Sequence, residues 1–230
     1  MLKKILFLIQ SKANLKIIFI FIFSKFLRIF SKSKVKKEKR YYKSLLKNLT
    51  ISSDFFCTNV YYFFKHIKNY KNFNYLEIGS YEGCSAIYIA NKFKGSKILC
   101  VDIWERVKEE YGEGINFNDI EKSFDYNSKN YSNIYKYKDY SDNFFLKNEK
   151  TFDIIYVDGH HLAEQVYKDA VNSWKFLNRN GLLIFDDYIW KNYQDITKNP
   201  CFAINKFLKE RWYNLKILEI TNSQIFIKKK

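Results

Sequence analysis

From residue 73 onward, short apolar runs alternate with longer segments in which apolar positions recur every three or four residues. The runs "FNYLEIGS" (73–80), "KILCVDIW" (97–104), "NIYKYKD" (133–139), "FDIIYVDG" (152–159) and "GLLIFDDY" (181–188) predict strands. Between them, 83–93, 117–129, 141–146 and 162–178 predict helices; in the last, Leu162, Val166, Ala170 and Trp174 stand four apart and share one face. Continuous apolar strands separated by helices imply a parallel sheet covered on both sides. The chain ends differently: "NLKILEI" and "SQIFIKK" are joined through "TNS", a connection short enough only for an antiparallel hairpin. The expected fold is α/β: a doubly wound, seven-stranded, mostly parallel sheet with an antiparallel C-terminal hairpin and an N-terminal helical extension.

Ahead of the alternation, residues 1–40 read as a basic, apolar extension, and 41–230 as the main domain, with a helical lead-in at 41–70 and the sheet core at 71–230. Charge sharpens this boundary. The net charge is +16, yet residues 1–40 hold twelve Lys/Arg against one acid, Glu38, while the remaining 190 residues hold 28 basic and 23 acidic side chains. The main domain is thus only mildly basic, which argues against nucleic acid as a partner. In "LKIIFIFIFSKFLRIF" the longest uninterrupted apolar run, Ile17 to Phe23, is far short of the ~20 residues a spanning helix needs. Two readings stand: a helix lying on an anionic membrane surface with its Lys/Arg among the headgroups, or one packed on the main domain. Four cysteines without a CxxC pair read as reduced thiols, hence a cytoplasmic protein, peripheral on the inner membrane face if the first reading holds.

In a doubly wound sheet, ligands bind beyond the carboxyl ends of the strands. After the first strand comes "EIGSYEGCS", with Glu77, Gly79, Ser80 and Gly83; after the second comes Asp102, 23 residues beyond Gly79, where a carboxylate can accept both hydroxyls of a ribose. The glycine pattern lacks the middle glycine of a dinucleotide loop, so a cofactor without a pyrophosphate fits better. That counts against a nucleotide-binding oxidoreductase.

The fourth strand ends at Asp158 and the fifth at Asp186 and Asp187. Neighbouring parallel strands would bring these carboxylates together, and such a cluster calls for a cation, Mg²⁺ or a similar divalent ion. The alternative is that the three merely cap the elements that follow. Next to Asp158 stand His160 and His161, two of the chain's three histidines. The segment 105–119, charged and with two glycines, reads as a lid or a solvated loop.

Taken in order, "YLEIGSYEGCSAIYIA", "VDIWE", "VDGHH" and "NGLLIFDDY" resemble the class I S-adenosylmethionine-dependent methyltransferases, and among them the small sugar and natural-product O-methyltransferases of macrocin and novobiocin type. The likeness covers about residues 70–230. It implies that Glu77, Gly79 and Ser80 face the methionine part of the cofactor, Asp102 the ribose, and Ser141 the adenine. It also implies a divalent metal at Asp158, Asp186 and Asp187, with relatives often having histidine at the Asp186 position. The family's D-G-x-H pattern makes His161 the matching histidine, a candidate base alongside Asp158, and leaves His160 to cap or face solvent. Leu162 departs from the aromatic residue usual there. The implied reaction is methyl transfer to a hydroxyl of a sugar, glycan or other small molecule; a homo-oligomer is left open. The competing readings are a Rossmann oxidoreductase, a nucleic-acid methyltransferase, which lacks its D/N-P-P-Y/F element here, and a non-catalytic membrane-associated binding protein.

Overall fold

The computed structural model describes residues 1–105 and 116–230. Its strands β1 (Asn74–Ile78), β2 (Lys97–Asp102), β3 (Ile134–Lys138), β4 (Phe152–Val157), β5 (Leu177–Phe185), β6 (Leu215–Ile220) and β7 (Ile225–Lys229) form a seven-stranded sheet in the order β3-β2-β1-β4-β5-β7-β6. The pairs β1–β2, β2–β3 and β4–β5 are parallel, and β5–β7 and β6–β7 antiparallel. This is the expected α/β architecture, including its closing hairpin. The chain divides into two compact units, residues 31–148 and residues 1–30 with 149–230.

In the first unit, α3 (Lys32–Leu46) runs through residue 40, the expected end of the extension, and α4 (Val60–Ile67) follows after a loop. The expected helical lead-in at 41–70 is therefore the end of one helix, a loop and a second helix. Glu38, the one acid of the basic N-terminus, is buried on α3, accepts a hydrogen bond from the Tyr88 hydroxyl at 2.5 Å and pairs with Lys92, both on α5 (Cys84–Lys92). A buried carboxylate is tolerated only with such partners. The loop 47–59 is tied down by side chains of the core: Glu82 accepts the Ser52 backbone N–H at 2.9 Å, and Asn127 of α6 (Phe117–Ser128) bonds both the N–H and the carbonyl of Thr50. The remaining helix, α7 (Ser141–Lys147), follows β3. β3 has no fully buried position, as befits a strand at the edge of the sheet. Most of the segment expected as a lid, residues 106–115, lies outside the described residues.

In the second unit, α8 (Ala163–Phe176) passes directly into β5, which begins four residues before the predicted strand. Gly181 marks the reason: a Cβ there would stand 2.8 Å from the Asn178 carbonyl oxygen and 2.9 Å from that of Asp153, so only glycine lets β5 enter its register beside β4. α9 (Pro200–Glu210) starts with proline at its first position and packs against α8. The first helices, α1 (Leu2–Gln10) and α2 (Leu15–Leu27), belong to this unit. They bury Phe7, Leu8, Ile17 and Phe21; Asn205 on α9 donates to the Ser11 carbonyl at 2.9 Å, and the Ile220 N–H of β6 donates to Ser24 Oγ at 3.3 Å. The described cysteines are all free thiols, three of them buried.

Candidate active site

At the end of β1 the chain turns through Gly79 (φ 85°), Tyr81 (φ 48°) and Gly83 (φ 84°) before α5 begins. Three left-handed residues in five make a tight loop whose amides point inward. Asp102, at the end of β2, collects them: its Oδ2 accepts the N–H groups of Ser80 at 2.8 Å and Tyr81 at 2.9 Å, and its Oδ1 that of Trp104 at 2.8 Å. Burial pushes the Asp102 pKa up and these amides pull it back. Oδ2 has both lone pairs engaged by these two amides, so a ligand hydroxyl would bond at Oδ1. Trp104 closes the other side, its indole N–H donating to the Tyr81 carbonyl at 2.8 Å and its ring packed on Phe124. Gly83 serves this loop in two ways, by its positive φ and because a Cβ would lie 3.1 Å from the Phe124 ring. Gly83→Ala is expected to cost about 1–2 kcal/mol of stability, read as a lower thermal midpoint. The acidic Glu82, beside these glycines in sequence, faces the lead-in loop through Ser52 instead.

Beneath the loop, Glu77 is fully buried and shares one face of β1 with Tyr75, two residues earlier, whose hydroxyl donates to its Oε2 at 2.8 Å. Burial pushes the Glu77 pKa up to about 7 against that hydrogen bond. By strict geometry neither its Oε1 nor the buried Ser80 hydroxyl makes a hydrogen bond, although the Ser80 and Ser85 hydroxyls lie close enough to Glu77 to lower its pKa. Buried polar atoms are rarely left so, and a ligand bearing a donor or a positive charge would satisfy them. Ser141 is the first residue of α7, two beyond Asp139, whose N–H donates to the Asp102 carbonyl at 3.1 Å.

The second cluster is built by β4 and β5. Their parallel register sets Val157 beside Phe185, and the Asp186 N–H donates to the Val157 carbonyl at 3.0 Å, so Asp158 and Asp186 emerge side by side. Tyr156 and Asp158 are two apart on β4 and share a face. The Tyr156 hydroxyl stands 2.7 Å from Asp158 Oδ2 and 2.5 Å from Asp186 Oδ2, and Gln224, in the β6–β7 turn, donates to the same Asp186 oxygen at 2.9 Å. A phenol has one proton to give, so a second proton or a cation must separate the other short contact. Burial first, then repulsion from Asp186 and Asp187, raises the Asp158 pKa well above the carboxylate range; burial and Asp187 raise that of Asp186.

The ligand atoms of Asp158, His161 and Asp187 lie within 4.8 Å of one another, a grouping that can hold a metal ion. His161 Nε2 is 2.9 Å from Asp187 Oδ2, and its ring packs edge-on against Trp190 at 5.0 Å. Asp187 reaches the cluster because its backbone is left-handed (φ 53°), a conformation aspartate accepts more readily than most residues. Asp186, grouped with the other two from sequence, is engaged by Tyr156, Gln224 and the Asp187 N–H instead. His160 lies outside this grouping, its Nδ1 accepting the Leu162 N–H at 3.0 Å ahead of α8. Sequence reading missed Tyr156 and Gln224. A buried tyrosine two residues before a strand-end aspartate signals the first; nothing local signals the second.

Residues 76–188 match the family described as a methyltransferase domain. Among curated proteins, the uncharacterized protein R132 of Acanthamoeba polyphaga mimivirus is 28% identical over 143 residues, 59% of either chain; the match thus spans just over half the length of that relative. Among solved structures, a putative caffeoyl-CoA O-methyltransferase from Staphylococcus aureus aligns over 91% of this chain and all of its own, with a TM-score of 0.57 and 15% identity. The MycE methyltransferase of the mycinamycin biosynthetic pathway, solved with Mg, S-adenosylhomocysteine and mycinamycin VI, aligns over 85% of this chain and 54% of its own, with a TM-score of 0.57 and 17% identity.

Proposed function

We propose that the chain is a class I methyltransferase, a reading supported by its match to a methyltransferase domain over residues 76–188, and that it transfers the methyl group of S-adenosylmethionine to a hydroxyl of a sugar, glycan or related small molecule, aided by a divalent cation. The observation that carries this reading is the convergence of Asp158, His161 and Asp187 within 4.8 Å at the strand ends of an α/β sheet. Glu77 and Ser80 offer unsatisfied buried acceptor and hydroxyl atoms to the methionine end of the cofactor, and Asp102 a carboxylate to its ribose. Ser141 stands for the adenine end on family likeness alone. When bound, the cofactor supplies an electrophilic methyl, and the cation a Lewis acid that lowers the acceptor pKa.

The chain's own work is alignment and proton removal. Asp158 and Asp187 would hold the cation, with Asp186, tied by Tyr156 and Gln224, keeping Asp158 in place. His161, within hydrogen-bond reach of Asp187, is placed to accept the hydroxyl proton. A second reading has support from the same geometry: His161 lies inside the donor grouping and would serve as a third ligand.

Calorimetric titration of the purified protein with S-adenosylhomocysteine is expected to show saturable binding; none at millimolar cofactor would sink the proposal. Transfer to a panel of sugar and phenolic acceptors should stop in EDTA and return with Mg²⁺. Full activity in EDTA would remove the cation and leave His161 alone as the catalyst. If His161→Ala flattens the acidic limb of the pH–rate profile, the histidine is a base; if it raises the Mg²⁺ needed for half-activity, it is a ligand.

A further inference from the structure

No residue of 1–30 belongs to either cluster described above, yet this segment has the most unusual surface in the protein. Nineteen large hydrophobic side chains are exposed among the described residues, and twelve of them lie within the first thirty. Patches of this kind mark interaction sites rather than chance exposure.

The pattern is ordered. On a helix with 100° per residue, Ile17, Phe21 and Ser24 of α2 fall on one side and are buried. Leu15, Phe19, Ile22, Phe23 and Phe26 fall within an arc of about 100° on the opposite side, and all are exposed, Phe19 to 68% and Phe26 to 57%. α1 repeats this on a smaller scale, burying Phe7 and Leu8 while Leu2, Leu6 and Ile9 stay open. The turn after α2 ends on Ile29 and Phe30, the latter 70% exposed. A helix with water on its outer side would carry polar residues there. α2 is apolar on both.

Charge identifies what covers this face. Residues 1–30 contain six Lys/Arg and no Asp or Glu. Lys16 and Lys25 flank the open arc of α2 on its two sides, and Lys3 and Lys12 are exposed; Lys16 also lies 5.9 Å from the Trp212 ring. A second copy of the chain would bring two such acid-free faces together against their mutual repulsion. Anionic lipid reverses that sign. α2 has 13 residues, and none of the described helices is long and apolar enough to cross a membrane, so the fitting geometry is in-plane, with phenyl rings among the acyl chains and lysines among the phosphates.

We propose that α1 and α2 form a docking face for an anionic lipid bilayer: one side of α2 packs on the main domain through Ile17 and Phe21, and the other enters the interface through Phe19, Phe23 and Phe26. The expectations of packing and of membrane contact thus belong to opposite sides of one helix. The inference stands apart from the identity of the acceptor.

The test is co-sedimentation of the full chain with vesicles of phosphatidylcholine alone and of an equimolar phosphatidylcholine–phosphatidylglycerol mixture. The protein should pellet with the anionic vesicles, less with the neutral ones, and less as salt is raised. The variant F19S/F23S/F26S changes only exposed side chains, so it should keep its circular-dichroism spectrum while losing about 10-fold or more in vesicle affinity. Wild-type protein left in the supernatant with anionic vesicles would overturn the proposal, as would a triple variant that pellets equally well. So would a wild-type dimer in size-exclusion chromatography that the triple variant splits, which would assign the face to a second copy.

Discussion

Asp158→Asn is expected to lower methyl transfer by on the order of 10²- to 10³-fold while raising the thermal midpoint of the protein in EDTA. The two halves of this result have one cause. Asp158 is held beside Asp186 and Asp187, and burial with their repulsion raises its pKa well above the carboxylate range. A group whose pKa is raised on folding contributes stability below its unfolded value and loses it as pH climbs through the folded one. As pH rises toward neutrality without a cation, holding Asp158 beside two other acids therefore opposes folding, and a neutral amide of the same shape relieves it. A gain of about 1 kcal/mol would appear as roughly 2–4 °C in a chain of this size. Mg²⁺ should stabilise the wild type and leave the variant unmoved. Retained activity in the variant would dismiss Asp158 from the reaction; a lower midpoint would make it a purely structural residue.

Glu77→Gln is expected to weaken S-adenosylhomocysteine binding by about 10- to 100-fold, the worth of a hydrogen bond to a charged group, and to abolish its pH dependence. Glu77 is fully buried with a pKa pushed up to about 7. Below that pH it is a neutral acid, and above it a buried carboxylate whose Oε1 makes no hydrogen bond of full geometry. If it faces the ammonium of the cofactor, binding draws it into the charged form and should tighten from pH 6 to 8. In the unliganded protein the sign is opposite: the contribution of Glu77 to stability is full below about pH 4.5 and is lost as pH rises through about 7, on the order of 3 kcal/mol in total. The glutamine variant should therefore match or exceed wild type in stability at pH 8 without ligand and gain less from ligand. Calorimetry across pH reads the first part and thermal denaturation the second. A binding constant indifferent to pH in the wild type would remove Glu77 from the cofactor site.

Both predictions concern residues that the sequence places correctly at strand ends, but for which it cannot supply surroundings. Glu77, Gly79 and Asp102 are legible because a short apolar run followed by glycine, or by an acid, is a local pattern. The tie from Asp102 to the amides of Ser80 and Tyr81 is not local, since it joins two turns more than twenty residues apart. Glu82 shows the limit of loop reading. Beside Gly83 it suggests an acidic lip on the cofactor loop, and it instead receives the Ser52 N–H thirty residues upstream. The N-terminal helices posed a choice between lipid and protein that hydrophobicity alone cannot make, because both environments take the same side chains.

By itself the sequence determined the alternation of strands and helices, the antiparallel hairpin and the residues at each strand end, since periods of two and of 3.6 residues are written along the chain. Only the tertiary structure decided how the clustered acids divide their work. Asp186 and Asp187 are neighbours with the same side chain, and no local rule separates them. Asp186 is taken by Tyr156 from β4 and Gln224 from the closing turn, while a left-handed backbone swings Asp187 toward His161 and Asp158. Those partners lie 30 and 38 residues away from Asp186, so the division depends on the register of packed strands, which exists only once the sheet has formed.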